Sequence, residues 1–223
     1  MDSNIKKLFD FSNNPIWLMR QAGRYMKEYN LIKGKFKSFF EMCRNVPAVT
    51  EITMLPVEKF NFDAGIIFSD ILIILEALNI EVEFIPTKGP VVHNKNLDKL
   101  FNSKNVNIDY QKLYPVYESV KEVKKIILSH KKPLIGFAGA PWTVAAYLIE
   151  GKITKDLSVI RELAYKDTIF MDRVINVLSD IITEHLSSQI ESGADVVQLF
   201  DTHSNVLDYK ALEKLSISPI RKI

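Results

Sequence analysis

Two arginines four residues apart are the first feature of this chain that could do chemistry. Arg20 and Arg24 stand in the segment MRQAGRY, with Ala22 and Gly23 between them. A planar guanidinium can donate two parallel hydrogen bonds to a carboxylate. Small residues beside it leave the backbone open to a bulky ligand. The segment therefore predicts a carboxylate-binding turn, and two solvated surface arginines remain the alternative that the spacing alone allows.

Asp70 is the second candidate, because it interrupts the apolar run IIFSDIL. Burying a carboxylate is unfavourable unless a cation, several N–H donors or a metal ion pairs with it. Asp70 is therefore a candidate site residue whose partner could be any of these three. The alternative is an aspartate that caps the N-terminus of a helix.

Two later segments also combine apolar runs with polar residues. The segment GFAGAPWTVAAYLIEG, Gly136–Gly151, predicts a strand and then a helix with Pro141 in its first turn. Tyr147 falls on the second turn of that helix, where it could point its hydroxyl toward the strand ends, or simply belong to the core. The segment DTH at 201–203 lacks the sequence context of a Ser or Cys nucleophile, so a hydrogen-bonded polar turn is the favoured interpretation.

The candidate residues follow four short apolar runs. The runs are Pro15–Met19, Ala64–Ser69, Pro133–Ala138 and Ala194–Phe200. None of them alternates with polar residues, which is typical of strands buried on both faces of a parallel sheet. In such folds, binding sites are built at the carboxyl ends of the strands. The runs therefore place the polar segments at one edge of the predicted sheet.

Helical patterns separate these runs. The spacing of apolar residues predicts helices at 46–60, 109–130, 154–166 and 168–192. Pro56 should kink or interrupt the first, and Gly193 should end the last. Residues 81–93 resemble a small hairpin outside the main sheet. Alternating strands and helices predict an α/β fold, and the absence of repeats or linkers predicts one domain over residues 1–223.

Composition excludes several classes of protein. The 223 residues carry a net charge of only +2, so bulk charge gives no reason to expect a nucleic-acid or membrane partner. Cys43 is the one cysteine and the four histidines are scattered, so neither an internal disulfide nor a metal site is expected. The N-terminus lacks the apolar core of a signal peptide, and the longest uncharged stretch, 133–149, is short for a bilayer. We expect a cytoplasmic protein.

Four segments together resemble one known family. PIWLMRQAGRYMKEY, IIFSDILIILEALNIEVEF, PLIGFAGAPWTVAAYLIEG and GADVVQLFDTHSNVL are similar in order and spacing to the uroporphyrinogen decarboxylase family. The resemblance runs from about Ile16 to the last residue. It implies a (β/α)8 barrel, usually homodimeric, that acts as a lyase in heme biosynthesis. The implied reaction removes carbon dioxide from the four acetate side chains of uroporphyrinogen III, giving coproporphyrinogen III without a metal or organic cofactor.

The resemblance also implies roles for individual residues. Asp70 matches the catalytic carboxylate that accepts hydrogen bonds from the pyrrole N–H groups of the tetrapyrrole. Arg20 and Arg24 match substrate-binding arginines, and Arg20 is a candidate for placing or delivering a proton. The other matched substrate-binding positions are Ala22, Gly23, Tyr147 and Thr202. These roles are compatible with the chemistry of the implied reaction. A substrate with eight carboxylates needs arginines to bind it, and a cationic intermediate needs a fixed carboxylate to stabilise it.

The chain also departs from the family pattern. The family continues for another third or more, including later strands and a substrate-binding histidine, so we expect about four core βα units, the N-terminal part of the barrel. Lys27 stands where proline is frequent, Thr202 where some members have serine, and Asn205 where many have glycine.

Two alternatives follow from these departures. The first is an inactive fragment that needs a C-terminal partner chain or only binds porphyrin. The second is a zinc-dependent, corrinoid-linked methyltransferase, which Arg20, Arg24 and Asp70 argue against.

Overall fold

A computed structural model describes residues 14–85, 88–103 and 105–223. The predictions for the first 13 residues lie outside this range. The chain forms two compact units. Of the described residues, the first comprises 14–70, 113–137 and 186–198, and the second comprises those between 71 and 112 together with 138–185 and 199–223. A single domain over the whole chain stays a prediction.

The described residues form an α/β fold. Its strands are β1 (Gly65–Ile66), β2 (Val82–Ile85), β3 (Gly89–Val92), β4 (Leu134–Gly139) and β5 (Val196–Phe200). The main sheet has the order β1–β4–β5, with β1 parallel to β4. The bonds Asp195 N–H to Leu134 O and Ala140 N–H to Phe200 O advance in the same direction along β4 and β5. The predicted parallel sheet is therefore confirmed.

The first predicted strand is wrong, so the described residues contain three core strands rather than four. Residues 15–18 have no regular secondary structure, and Ile16 is 57% exposed. Asp63 N–H bonds to Ile16 O at 2.9 Å, but Ile16 N–H bonds to the Asp63 carboxylate at 2.7 Å. Leu18 N–H bonds to a side chain as well, that of Gln21. Because side chains take these N–H groups and Pro15 has none, no β-ladder forms here.

Strand β5 is less buried than the sequence predicts. All five of its residues are partly or fully exposed, with Gln198 the exposed one. The sheet order places β5 at an edge, so only one side of it is covered by a neighbouring strand. The prediction of burial on both faces is correct for β4, in which five of six residues are buried.

The small hairpin is confirmed. Strands β2 and β3 pair antiparallel as a separate sheet, with Val82 opposite Val92. Pro86, at the end of the first predicted strand, and Thr87, in the predicted turn, lie outside the described residues.

Ten α-helices are described. They are α1 (Lys27–Lys33), α2 (Phe39–Cys43), α3 (Val46–Phe60), α4 (Leu97–Phe101), α5 (Tyr114–Ile127), α6 (Pro141–Glu150), α7 (Ser158–Lys166), α8 (Thr168–Glu191), α9 (Tyr209–Leu212) and α10 (Ser218–Lys222). The predicted helices near α3, α5, α6 and α8 are confirmed. α3 continues through Pro56, so the predicted interruption is wrong. α7 begins later than predicted because Leu157 has a left-handed backbone, φ +49°.

The first unit packs α3 and α5 against the start of the sheet. Val57 of α3 and Ile127 of α5 share a buried cluster with Leu134 of β4. The approach is close at Gly65, where a Cβ atom would lie 2.6 Å from the Ile127 side chain. No helix among the described residues is long and apolar enough to cross a membrane.

A side chain of α8 completes the hydrogen bonding of β4. The fully buried Gln189 donates from Nε2 to Phe137 O at 2.9 Å and accepts from Phe137 N–H at 3.0 Å. Its amide thus pairs with Phe137 as a neighbouring strand would. Gly136 makes room for this contact, because a Cβ atom there would lie 2.6 Å from Gln189 Oε1.

We expect His185 to make this protein sensitive to mild acid. His185 of α8 is 2% exposed, and burial lowers its pKa from 6.5 to about 4. Between these values the unfolded chain binds a proton that the folded chain does not, so stability falls as pH falls below about 6.5. The free energy of unfolding should drop by about 2 kcal/mol between pH 7 and pH 5 from this residue alone.

Urea unfolding at pH 7 and pH 5 measures this effect. His185→Gln should remove about 2 kcal/mol of the acid-dependent loss. The control, His93→Gln, changes an exposed histidine and should leave the loss as it is in the unsubstituted chain. An equal loss in the His185 variant would contradict the assignment.

Candidate active site

The two candidate arginines lie on an irregular turn of the first unit. Arg20 and Arg24 are both exposed, whereas Gln21 between them is 1% exposed. Gln21 donates from Nε2 to Ala64 O at 3.1 Å, immediately before β1, and accepts from Leu18 N–H at 3.3 Å. We call residues 20–24 the arginine turn. A buried glutamine thus holds this turn to the chain entering the sheet.

Helix α1 holds the other end of the arginine turn. Met26 N–H bonds to Gly23 O at 3.0 Å, and Asn30 Nδ2 donates to Arg24 O at 2.8 Å. Within the described part of the chain, no side chain accepts a hydrogen bond from either guanidinium. With respect to the described residues, both guanidinium groups can therefore donate to a carboxylate ligand.

Asp70 lies beyond the end of β1. Ile67 N–H still bonds to Ile135 O at 2.9 Å, and Phe68 N–H then bonds to Thr53 Oγ1 of α3 at 2.9 Å. Asp70 follows two residues later and is partly buried. The N-cap of the following 3-10 helix, Ile73–Leu78, is Leu72, with no side-chain cap bond. Leu72, and not Asp70, is therefore the N-cap residue of this helix, and ligand contact by Asp70 stays a prediction.

The arginine turn and the chain leading to Asp70 share one core. Ala22 of the turn and Phe68 both pack against a buried cluster that includes Met26 and Tyr29. The Phe68 ring meets the Tyr29 ring edge-on, with centroids 5.8 Å apart. Ile16 bonds to Asp63, and Ala22 contacts the same buried cluster as Phe68. The arginine turn is therefore attached at the start of β1 through Gln21, and it shares a buried cluster with the segment that leads to Asp70.

The second unit contains the remaining candidates. Asp201 accepts hydrogen bonds from Thr143 Oγ1, at 2.7 Å, and from Ser216 Oγ. Thr143 also accepts from His203 N–H at 3.1 Å, and Trp142 Nε1 donates to His203 O at 2.9 Å. The interpretation of 201–203 as a hydrogen-bonded polar turn is thus confirmed.

Thr202 lies within this polar turn, and Tyr147 lies beside it. The Tyr147 ring on α6 meets the His203 ring edge-on, with centroids 5.4 Å apart. Tyr147 is partly buried and Thr202 is exposed. Burial lowers the pKa of His203, and the nearby Asp201 opposes that shift. This corner of the second unit therefore offers hydroxyl groups beside an imidazole whose neutral form is favoured.

Sequence reasoning missed the residues that hold the site in place. Gln21, Thr53 and Thr143 are almost fully buried, and each bonds to a backbone group or a carboxylate. The available signal was a single polar residue in an apolar stretch, since such a residue is retained inside a protein when it has a partner. Among the described residues, no three His, Cys, Asp or Glu side chains lie where they could hold a metal ion.

Comparison with known proteins gives the family. The model of the uroporphyrinogen decarboxylase family, URO-D, matches residues 10–223. The chain belongs to this family. Among similar members, uroporphyrinogen decarboxylases of Rickettsia rickettsii (strain Sheila Smith) and of Brucella anthropi are 42% and 40% identical over 209 residues. That of Rickettsia bellii is 40% identical over all 223 residues. The resemblance inferred from the four segments is therefore confirmed.

The chain spans only part of the length of these relatives of the uroporphyrinogen decarboxylase family. It covers 60% of the R. rickettsii protein, 61% of the B. anthropi protein and 64% of the R. bellii protein. Among solved structures, a methyltransferase from Methanosarcina mazei superposes with a TM-score of 0.66 over 87% of this chain and 57% of that one. At 15% identity this likeness concerns the fold alone.

Proposed function

We propose that this chain carries the substrate-binding, N-terminal part of a uroporphyrinogen decarboxylase with a (β/α)8 barrel. The observation that supports this most is the shared core of the arginine turn and the Phe68 segment before Asp70, in a chain of this family. The packing of Ala22 and Phe68 against that core supports the proposal that Arg20, Arg24 and Asp70 contact the same substrate. We also propose that the complete enzyme is cytoplasmic and homodimeric.

The arginine turn suits a polyanionic substrate. Uroporphyrinogen III has eight carboxylates, and Arg20 and Arg24 each offer a planar donor fork. Gly23 between them has no side chain, so the macrocycle can approach the backbone of the turn. We propose that Tyr147 and Thr202 add hydroxyl donors to substrate carboxylates.

Asp70 supplies the charge that the chemistry needs. Protonation of a pyrrole carbon next to the acetate-bearing carbon gives a cationic iminium form of the ring. The bond between the acetate CH₂ and its carboxylate then breaks, carbon dioxide leaves, and the electron pair passes into the ring. Protonation of the exocyclic carbon and loss of the ring proton give the methyl product. A fixed carboxylate beside the pyrrole N–H groups stabilises the cation more than water does.

The pyrrole ring acts as the electron sink in this scheme, so the proposed reaction uses no metal or organic cofactor. Arg20 is proposed to place the group that delivers the proton. A guanidinium is a poor acid itself, because its pKa lies far above neutrality.

A binding experiment tests the substrate class. Fluorescence titration of the 223-residue chain with coproporphyrin III should show saturable binding, and Arg20→Ala should weaken it about tenfold through loss of a charge-assisted contact. The control Arg161→Ala removes an exposed arginine of α7 and should leave the affinity unchanged. Equal affinities of all three proteins would contradict the assigned role of Arg20.

An anaerobic assay tests the reaction. Uroporphyrinogen III is incubated with the chain alone, and with the chain co-expressed with a polypeptide covering the remaining length of the R. rickettsii relative. Formation of coproporphyrinogen III, followed by chromatography after oxidation, is expected in the second preparation. Porphyrin binding without product in either preparation would refute catalysis and leave a binding function.

A further inference from the structure

One buried polar side chain lies inside the arginine turn. Residues 15–26 belong to no helix or strand, so no regular backbone fixes Arg20 and Arg24. Gln21 lies between two exposed arginines and is itself 1% exposed. The position of both guanidinium groups therefore depends on how this glutamine is held.

The Gln21 amide is bonded at both ends. Its Nε2 donates to Ala64 O at 3.1 Å, and its Oε1 accepts from Leu18 N–H at 3.3 Å. The backbone carbonyl of Gln21 accepts from the hydroxyl of Tyr25. These three contacts connect the segment before the turn, the turn itself and the chain that enters β1.

An apolar side chain of the same shape would fill the same space but leave two backbone groups without partners. Replacing the amide would leave Ala64 O and Leu18 N–H unsatisfied beside the sheet, which is costly when such groups are buried. A shift of the turn toward water would satisfy them again and would displace both arginines. Misplacement of a binding group by about 1 Å is enough to weaken a preorganised site severely.

We propose that Gln21 is a positioning residue, whose amide fixes the arginine turn against β1 so that Arg20 and Arg24 meet substrate carboxylates in a set geometry. This inference rests on the proposed binding role of the two arginines. Gln21 itself makes no contact with the reacting atoms.

The test compares Gln21→Met with Gln111→Met, a matched change at an exposed glutamine. Amide hydrogen exchange of residues 16–25 should become at least tenfold faster in the Gln21 variant, while α3 exchanges as before. Affinity for coproporphyrin III should fall about tenfold. Tyr25→Phe, at an exposed ring that can lose its hydroxyl without unfolding the chain, should produce smaller changes of the same kind.

A double-mutant cycle that combines Gln21→Met with the two arginine substitutions separates an effect on the position of the arginines from an effect on the stability of the whole protein. In an Arg20→Ala/Arg24→Ala background, Gln21→Met should leave porphyrin affinity unchanged, because the groups that it positions are gone. An equal loss in both backgrounds would overturn the proposal, as would unchanged exchange and affinity in the single variant. If the double arginine variant binds as tightly as the unsubstituted chain, the proposed function fails instead.

Discussion

Replacing Asp70 with asparagine is expected to lower the rate of uroporphyrinogen III decarboxylation about a thousandfold, the loss typical of removing a preorganised charge partner. The amide has nearly the shape of the carboxylate but cannot balance the positive charge of the iminium. Its oxygen still accepts hydrogen bonds from pyrrole N–H groups, so porphyrin affinity should change much less than the rate. This separation of rate from affinity is the signature of stabilisation that acts mainly on the transition state.

The measurement is single-turnover formation of the first decarboxylated product in the preparation that shows turnover, with affinity from fluorescence titration. Asp98→Asn is the matched control, because Asp98 is an exposed aspartate of α4. It should leave both quantities unchanged. Full activity of the Asp70 variant would refute the catalytic role, and an equal fall in affinity and rate would indicate simple binding.

Replacing Gln189 with methionine is expected to lower the free energy of unfolding by about 3 kcal/mol. Methionine fills a similar volume but leaves both the N–H and the carbonyl of Phe137 without their partner in α8. Phe137 lies in β4, the middle strand of the main sheet, so water cannot easily replace the amide.

Guanidinium unfolding followed by circular dichroism gives this quantity, and Gln111→Met is the control with an exposed side chain. Gly136→Ala tests the same contact from the other side, since its Cβ atom would collide with Gln189 Oε1. It should also destabilise the chain. Stabilities of the two Gln189-contact variants within about 0.5 kcal/mol of the control would contradict this role.

The spacing of apolar residues predicted the helices that bury one face and the strand that is buried on both faces. The bounds of α3 and the position of β4 follow from local apolar patterns, and those patterns report burial directly. Residues 15–19 have the same apolar composition yet form no strand, because the N–H groups of Ile16 and Leu18 bond to side chains. Strand formation needs a partner ladder, and local composition carries no information about that partner.

The sequence predicted the site residues whose chemistry follows from their residue type. It did not predict the hydrogen bonds that hold those residues in place. Arginines and aspartate in the family motif could be named from the sequence. The contacts of Gln21 to Ala64 and of Thr53 to Phe68 could not, since they join residues 43 and 15 positions apart. Whether Tyr147 and Thr202 contact the substrate stays a prediction.

The segment before the arginine turn is attached by one backbone hydrogen bond and a few side-chain contacts rather than by a β-ladder. We expect it to detach and reattach while β4 stays intact, at a lower free energy than global unfolding. If an anion binds only when this segment is attached, part of its binding free energy is used to order the segment, and the observed affinity is lowered by that amount. Substrate binding and attachment of this segment would thus be one linked equilibrium.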